Sequence, residues 1–247
     1  MCTNRHSFDI ARQGYVNLLP VQFKKSLNPG DTPEAVQARR EFLGAGYYQP
    51  LCDTIKTLVK ALQPQSILDI GCGEGFYTSQ LSALAAQVIG VDIAKPAIQI
   101  AARRDPSVCW LVASAARLPV QEASIDLACS FFSPLPVEEM SRILNAHGHV
   151  LMVSPAPGHL LEMREALFDQ VQLHEPEKFI QHVAARFRLV QQQHLEYPLQ
   201  LSQVALKQLI AMTPYAWKAK AERRQQLETS PVFETRASFQ VYLFQKT

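Results

Sequence analysis

The sequence predicts a doubly wound α/β fold on a mainly parallel sheet of seven strands, and three observations carry that prediction. Between Pro64 and Pro157, short continuous apolar runs alternate with helical stretches, the texture of strands covered on both faces. The first run, Ser66-Ile67-Leu68-Asp69-Ile70, opens straight into Gly71-x-Gly73-x-Gly75 and a helix. The second run ends on Asp92, 21 residues after Gly71.

Composition sets the frame for this. A chain of 247 residues, 47% hydrophobic and 19% charged, suits one sizeable domain with a real core and argues against disorder. No stretch approaches the roughly 18 consecutive apolar residues of a membrane span. Met1 to His6 lacks a signal peptide's apolar core, which makes the cytoplasm the default location. The five cysteines (2, 52, 72, 109 and 129) are scattered and odd in number, unlike a disulfide framework. Cys72, Cys109 and Cys129 read as small buried hydrophobes. Net charge is +2, unevenly spread: residues 61–160 hold five basic and eight acidic side chains, whereas residues 1–40 hold six basic and three acidic. An acidic centre between mildly basic ends suits a phosphate-tracking face outside the central pocket.

The elements follow in order. Residues 1–33 read as an irregular N-terminal segment and 34–247 as the main domain. Thr32-Pro33 caps a helix running to Gly44, and Leu51 to Leu62 carries apolar residues at helical spacing. Strands are expected at 66–70, 87–92, 108–112, 124–130 and 149–153, with helices at 77–85, 95–103 and 138–144 between them. Beyond Pro157 come a helix near 160–171, a strand near 187–192 and a helix near 203–212. Phe239 to Phe244 then alternates as an edge strand would.

The glycine loop and its acids point to a ligand that carries a ribose. Glycines there permit a tight turn and bring backbone N–H groups near a ligand. Asp69, just before the loop, can order it and face the ligand. Asp92, at the end of the next strand, can accept ribose hydroxyls. A dinucleotide fingerprint would need glycine where Phe76 stands, and the phosphate-binding G-x-x-x-x-G-K is absent. Together Asp69, Gly71, Gly73, Glu74, Gly75 and Asp92 resemble the class I S-adenosylmethionine-dependent methyltransferases. That resemblance implies a cofactor-binding role for all six and puts Ser114, after the third strand, on the adenine pocket.

The flanks narrow the family. Phe8-Asp9-Ile10-Ala11-Arg12-Gln13-Gly14-Tyr15 through Gln22, Pro29-Gly30-Asp31, and Ala38-Arg39-Arg40-x-Phe42-Leu43-x-x-Gly46-x-Tyr48-x-Pro50 look like bacterial 23S ribosomal RNA guanine-N1 methyltransferases. Pro157-Gly158-x-x-Leu161 and Met212-Thr213-Pro214-Tyr215-Ala216-Trp217 match as well. The resemblance covers essentially the full chain. It implies methyl transfer to N1 of one guanosine in a hairpin loop of 23S ribosomal RNA, with Tyr48 and His159 also touching S-adenosylmethionine.

The same resemblance implies an N-terminal zinc module that helps grip RNA. Here only Cys2 and His6 stand at its ligand spacing, an incomplete pair that cannot close a tetrahedral site: either residues 1–33 are a truncated module or the true start lies upstream of Met1, and from the sequence as it stands no zinc is expected to be held by one chain. Phe132 is a candidate for stacking on a splayed-out base. Arg39, Arg40, Lys218, Lys220, Arg223 and Arg224 are candidates for phosphate contacts. The Asn/Asp-Pro-Pro-aromatic tetrad of amino-directed enzymes is replaced by Phe131-Phe132-Ser133-Pro134, which speaks against exocyclic-amine chemistry. No catalytic residue declares itself, and Asp31 is a candidate base only through the resemblance of its loop. Small-molecule methylation and a non-catalytic RNA-binding role remain open alternatives, as do the monomer and the homodimer.

Overall fold

The computed structural model describes residues 7–19, 30–175 and 177–247. Its centre is an eight-stranded sheet in the order β1-β4-β3-β2-β5-β6-β8-β7. The strands are β1 (Tyr15–Asn17), β2 (Ser66–Ile70), β3 (Gln87–Asp92), β4 (Cys109–Val112), β5 (Ile125–Phe131), β6 (Leu144–Pro155), β7 (Phe187–Ser202) and β8 (Val232–Lys246). All pairs from β1 across to β6 are parallel, and β8 runs antiparallel to both neighbours.

Two expectations change here. The sheet has eight strands rather than seven, because Tyr15–Asn17, inside the stretch predicted to be irregular, pairs with Trp110–Val112. Three residues are too few for a hydrophobic period to reveal a strand. The C-terminal strand is also not an edge. β8 lies between β6 and β7, and the exposed edge falls to β7, extended to 16 residues. The alternation over 239–244 reports its antiparallel neighbours, not its position.

Alternating residues of the central strands feed two separate cores. Ile67, Val88, Leu127 and Cys129 enter one face, while Leu68, Ile70, Ile89, Val91 and Ala128 enter the other. Burying both faces explains why these strands are apolar throughout. Helices α1 (Pro33–Gly44), α2 (Gln49–Leu62), α3 (Phe76–Leu81), α4 (Lys95–Arg104) and α5 (Val137–Ile143) cover the sheet as expected. Thr32 caps α1, its hydroxyl oxygen accepting the Ala35 N–H at 3.2 Å. Helix α6 (Leu161–Leu167) is shorter than the sequence suggested. Helices α7 (Glu177–Val183), α8 (Gln203–Ala211), α9 (Tyr215–Lys218) and α10 (Ala221–Leu227) complete the chain.

Cys52, Cys72 and Cys129 are buried, but Cys109 is exposed at the start of β4, against expectation. Among the described residues no helix is long and apolar enough to cross a membrane.

Candidate active site

Strand order reverses at β2, whose neighbours β3 and β5 lead in opposite directions across the sheet. Ligands of open α/β sheets bind outside the carboxyl ends of the strands at such a point. A cavity of about 850 Å³ lies there, walled by the segments that follow β2, β3, β4, β5 and β6. Tyr48, Asp69, Gly71, Gly73, Glu74, Asp92, Ser114, Phe132 and His159 all line it. Residues as far as 111 positions apart in sequence, Tyr48 and His159, are brought together by that one topological feature.

The glycine loop turns inward more than its sequence suggested. The N–H groups of Gly71 and Cys72 both donate to the Val91 carbonyl, at 2.8 and 3.1 Å. Gly73 N–H donates to Asp92 Oδ2 at 2.9 Å, and Gly75 N–H to the Cys72 carbonyl at 3.0 Å. The loop therefore offers no row of N–H groups to an anion. Gly71 must be glycine for two reasons: its φ is +74°, and a Cβ there would stand 2.5 Å from Ser133 Cβ. Gly75 corrects an expectation. It is off the cavity wall, and a Cβ on it would meet Trp110 at 2.6 Å and Ala101 at 2.9 Å.

The carboxylates are buried around this loop. Asp92 accepts the Ala94 N–H at 2.7 Å as well as that of Gly73, so it holds the loop while facing the cavity. Burial raises its pKa above the ordinary carboxylate value. Asp69 accepts from the Thr78 hydroxyl at 2.5 Å through Oδ2, and its Oδ1 has no hydrogen-bond partner. Burial pushes it up to about 7. Glu74 Oε1 is likewise without a hydrogen bond, with Arg104 3.6 Å away, and burial raises its pKa also. Tyr77 and Ser154 add unpartnered buried hydroxyls to the same wall. Buried polar atoms normally have partners, so this concentration marks a surface built for a polar ligand. A cationic amine suits Asp69 Oδ1, and S-adenosylmethionine carries one. Ser114 lines the wall too, although its Oγ accepts the Ala116 N–H at 3.3 Å.

The other half of the cavity is aromatic. Tyr48 and His159, both buried, meet with the tyrosine hydroxyl 3.4 Å from Nε2. Ser238 N–H donates to His159 Nδ1 at 3.1 Å. Burial first, then neighbouring His174, lowers the His159 pKa to about 3, so the ring is neutral and carries its proton on Nε2. His174, which sequence reasoning missed, lines the same wall and stands 3.4 Å from the Tyr215 hydroxyl. Burial and the charge of Arg164 lower it to about 4. Buried Arg164 donates to the carbonyls of Pro157 (3.1 Å), His159 (3.2 Å) and Gln172, which ties together the segment bearing both histidines. Phe132 is 43% exposed, with φ at +59°, a strained value for a bulky residue. Its ring lies 5.5 Å from Phe239 and 6.3 Å from Tyr77.

The six basic candidates divide. Arg39 lies in the cavity wall, its Nη1 2.6 Å from Asp31 and its Nη2 donating to the Met212 carbonyl at 3.3 Å. Arg40 is exposed on α1, outside the cavity wall that holds Arg39. Lys220 and Arg223 both bind Asp169, and Arg224 pairs with Glu228 at 3.4 Å. Lys218 lies on the rim beside Trp217, which is 66% exposed. Asp31 lines the wall but is held by Arg39. Cys2 and His6 lie outside the described residues, and among those described no group of three or more His, Cys, Asp or Glu side chains could hold a metal ion.

Comparison with known proteins agrees with this geometry. Residues 67–154 match a family model described as a methyltransferase domain, and residues 1–27 match a zinc-ribbon model described as RlmA, N-terminal. The chain is similar to the 23S rRNA (guanine(748)-N(1))-methyltransferase of Streptomyces fradiae, with 34% identity over 224 residues, 87% of this chain and 79% of that protein. YxjB of Bacillus subtilis strain 168, which carries the guanine-N1 methyltransferase name provisionally, is 33% identical over 242 residues, covering 90% and 82%. Among solved structures, the [4+2]-cyclase SpnF superposes with a TM-score of 0.58 at 16% identity, covering 87% of this chain and 93% of that one. A likeness so remote in sequence shows the fold alone. The identity and coverage of the first two matches show more: this chain belongs to the family of S-adenosylmethionine-dependent 23S ribosomal RNA (guanine-N1)-methyltransferases.

Proposed function

We propose that this chain transfers the methyl group of S-adenosylmethionine to N1 of one guanosine in a hairpin loop of 23S ribosomal RNA, with the cytoplasm as its place of work. The observation that carries the reading is the two-part cavity, whose carboxylate and glycine-loop half opens directly into an aromatic half. When bound, the cofactor supplies a methyl group on a positively charged sulfur.

The chain's own contribution is positioning. Asp69, Asp92, Glu74 and the turn at Gly71 and Gly73 hold and orient the cofactor, with Ser114 toward the adenine. Tyr48 and His159 close its other side, the neutral imidazole fixing the phenol. Phe132 presents an open ring face at the mouth, where an unpaired base can stack once it leaves its loop. Residues 34–247 form the catalytic unit in this reading, and residues 1–33 assist RNA contact. Asp31 positions Arg39, so the acceptor of the guanine N1 proton remains unassigned.

The test is incorporation of labelled methyl from S-adenosylmethionine into ribosomal RNA lacking the modification, with mass mapping of the product. One N1-methylguanosine in the 23S RNA is the expected result. Methylation of small acceptors with none in the RNA would sink the reading.

A further inference from the structure

We propose that Arg39 binds the carboxylate of the methionine end of S-adenosylmethionine and is not a contact to RNA phosphate. The inference rests on that cofactor filling the glycine-loop half of the cavity.

That end of the cofactor is a zwitterion, so both an ammonium and a carboxylate need partners. Asp69 Oδ1, buried and without a hydrogen bond, suits the ammonium. The carboxylate has few options. Loop N–H groups would be the usual anion site, but those of Gly71, Cys72, Gly73 and Gly75 all donate within the loop or to its neighbours. The acidic side chains on the wall are Asp31, Asp69, Glu74 and Asp92. Among the described residues the basic ones are Arg39 and Lys218, and Lys218 lies out on the rim beside exposed Trp217.

Arg39 is placed over the loop itself. Its Nη1 would be the nearest atom to a Cβ on Gly73, at 3.7 Å. The guanidinium is held in advance by Asp31 and by the Met212 carbonyl. A guanidinium carries five N–H donors, so these two anchors leave others for a ligand. Its side chain is 25% exposed, which suits a bound small molecule better than a polyanion arriving from solvent. A phosphate reaching it would also have to pass into a wall of four carboxylates.

The experiment uses calorimetry on the full chain with two ligands that differ at the methionine end. S-Adenosylhomocysteine has the carboxylate, whereas 5′-methylthioadenosine lacks the entire amino-acid group. Arg39→Met is expected to weaken S-adenosylhomocysteine about 10- to 100-fold, the range for a lost hydrogen bond to a charged group. It should leave 5′-methylthioadenosine unchanged, which also shows that the variant folds. Arg39→Lys should recover part of the preference, and Lys218→Ala should keep all of it. Equal losses for both ligands would overturn the proposal, as would unchanged cofactor affinity with weakened RNA binding. Selective loss in a chain that leaves ribosomal RNA unmethylated would support Arg39 and refute the proposed acceptor instead.

Discussion

The hydroxyl of Tyr48 lies 3.4 Å from His159 Nε2, and the far side of that imidazole is fixed by the Ser238 N–H. Since Nδ1 accepts and the ring is neutral, Nε2–H donates to the phenol oxygen. The phenol's own hydrogen is then available to an acceptor in the cavity. Tyr48→Phe is expected to weaken S-adenosylhomocysteine about 3- to 10-fold, the scale of one neutral hydrogen bond. Calorimetry measures this, and an unchanged affinity would remove Tyr48 from the cofactor's surroundings.

Asp69 is expected to make cofactor binding pH-dependent. Burial raises its pKa to about 7, against the opposing hydrogen bond from Thr78. Below that pH the carboxyl is neutral and offers little to a cation, so affinity should climb from about pH 6 to about pH 8 and then level. Without ligand the sign reverses. The folded state binds this proton more tightly than the unfolded chain, so its stabilisation is complete below the ordinary carboxylate pKa and is lost as pH rises through about 7. Asp69→Asn should flatten both profiles, and titrating affinity and urea midpoint against pH distinguishes them.

A change at Phe132 is expected to separate RNA recognition from cofactor binding. Phe132→Ala removes the exposed ring, and base–aromatic stacking is worth about 1–3 kcal/mol. We expect kcat/KM for ribosomal RNA to fall about 5- to 100-fold with S-adenosylhomocysteine affinity unchanged. Equal methylation by both proteins would mean that the ring serves only the Phe239 and Tyr77 contacts.

Gly75 and Gly73 should behave differently when replaced by alanine. At Gly75 a methyl group meets Trp110 at 2.6 Å and φ is +79°, so overpacking adds to backbone strain and the loss should be about 2–4 kcal/mol. At Gly73 the nearest neighbour is 3.7 Å away, leaving mainly the strain, about 1–2 kcal/mol. Urea unfolding of the two variants gives the comparison directly, and equal losses would contradict it.

Strands β2 and β3 are legible in the sequence to the residue, because both faces are buried and turn chemistry bounds the runs. Asp69, Asp92 and the glycines were legible for the same reason: the motif is local. What escaped depends on distance in sequence. Nothing near Gly75 says that Trp110 lies against it, and nothing near Arg39 announces Gly73, Asp31 and Met212 around its guanidinium. His174 stands in a stretch without helix or strand, where no period could mark it. The start of β7 near Phe187 was legible, but its run on to Ser202 was not, because that order comes from pairing with β8.

The Arg164 guanidinium has a last consequence. One planar fork of donors reaches the Pro157, His159 and Gln172 carbonyls at once, so the strip from Pro157 to Gln172 is pinned at both ends by a single side chain. His159, within that strip, and His174, two residues beyond it, owe their places in the wall to one shared anchor. Near neutral pH, acidity alters the carboxylate half of the cavity through Asp69, at about 7, while the two imidazoles, lowered to about 3 and about 4, stay neutral.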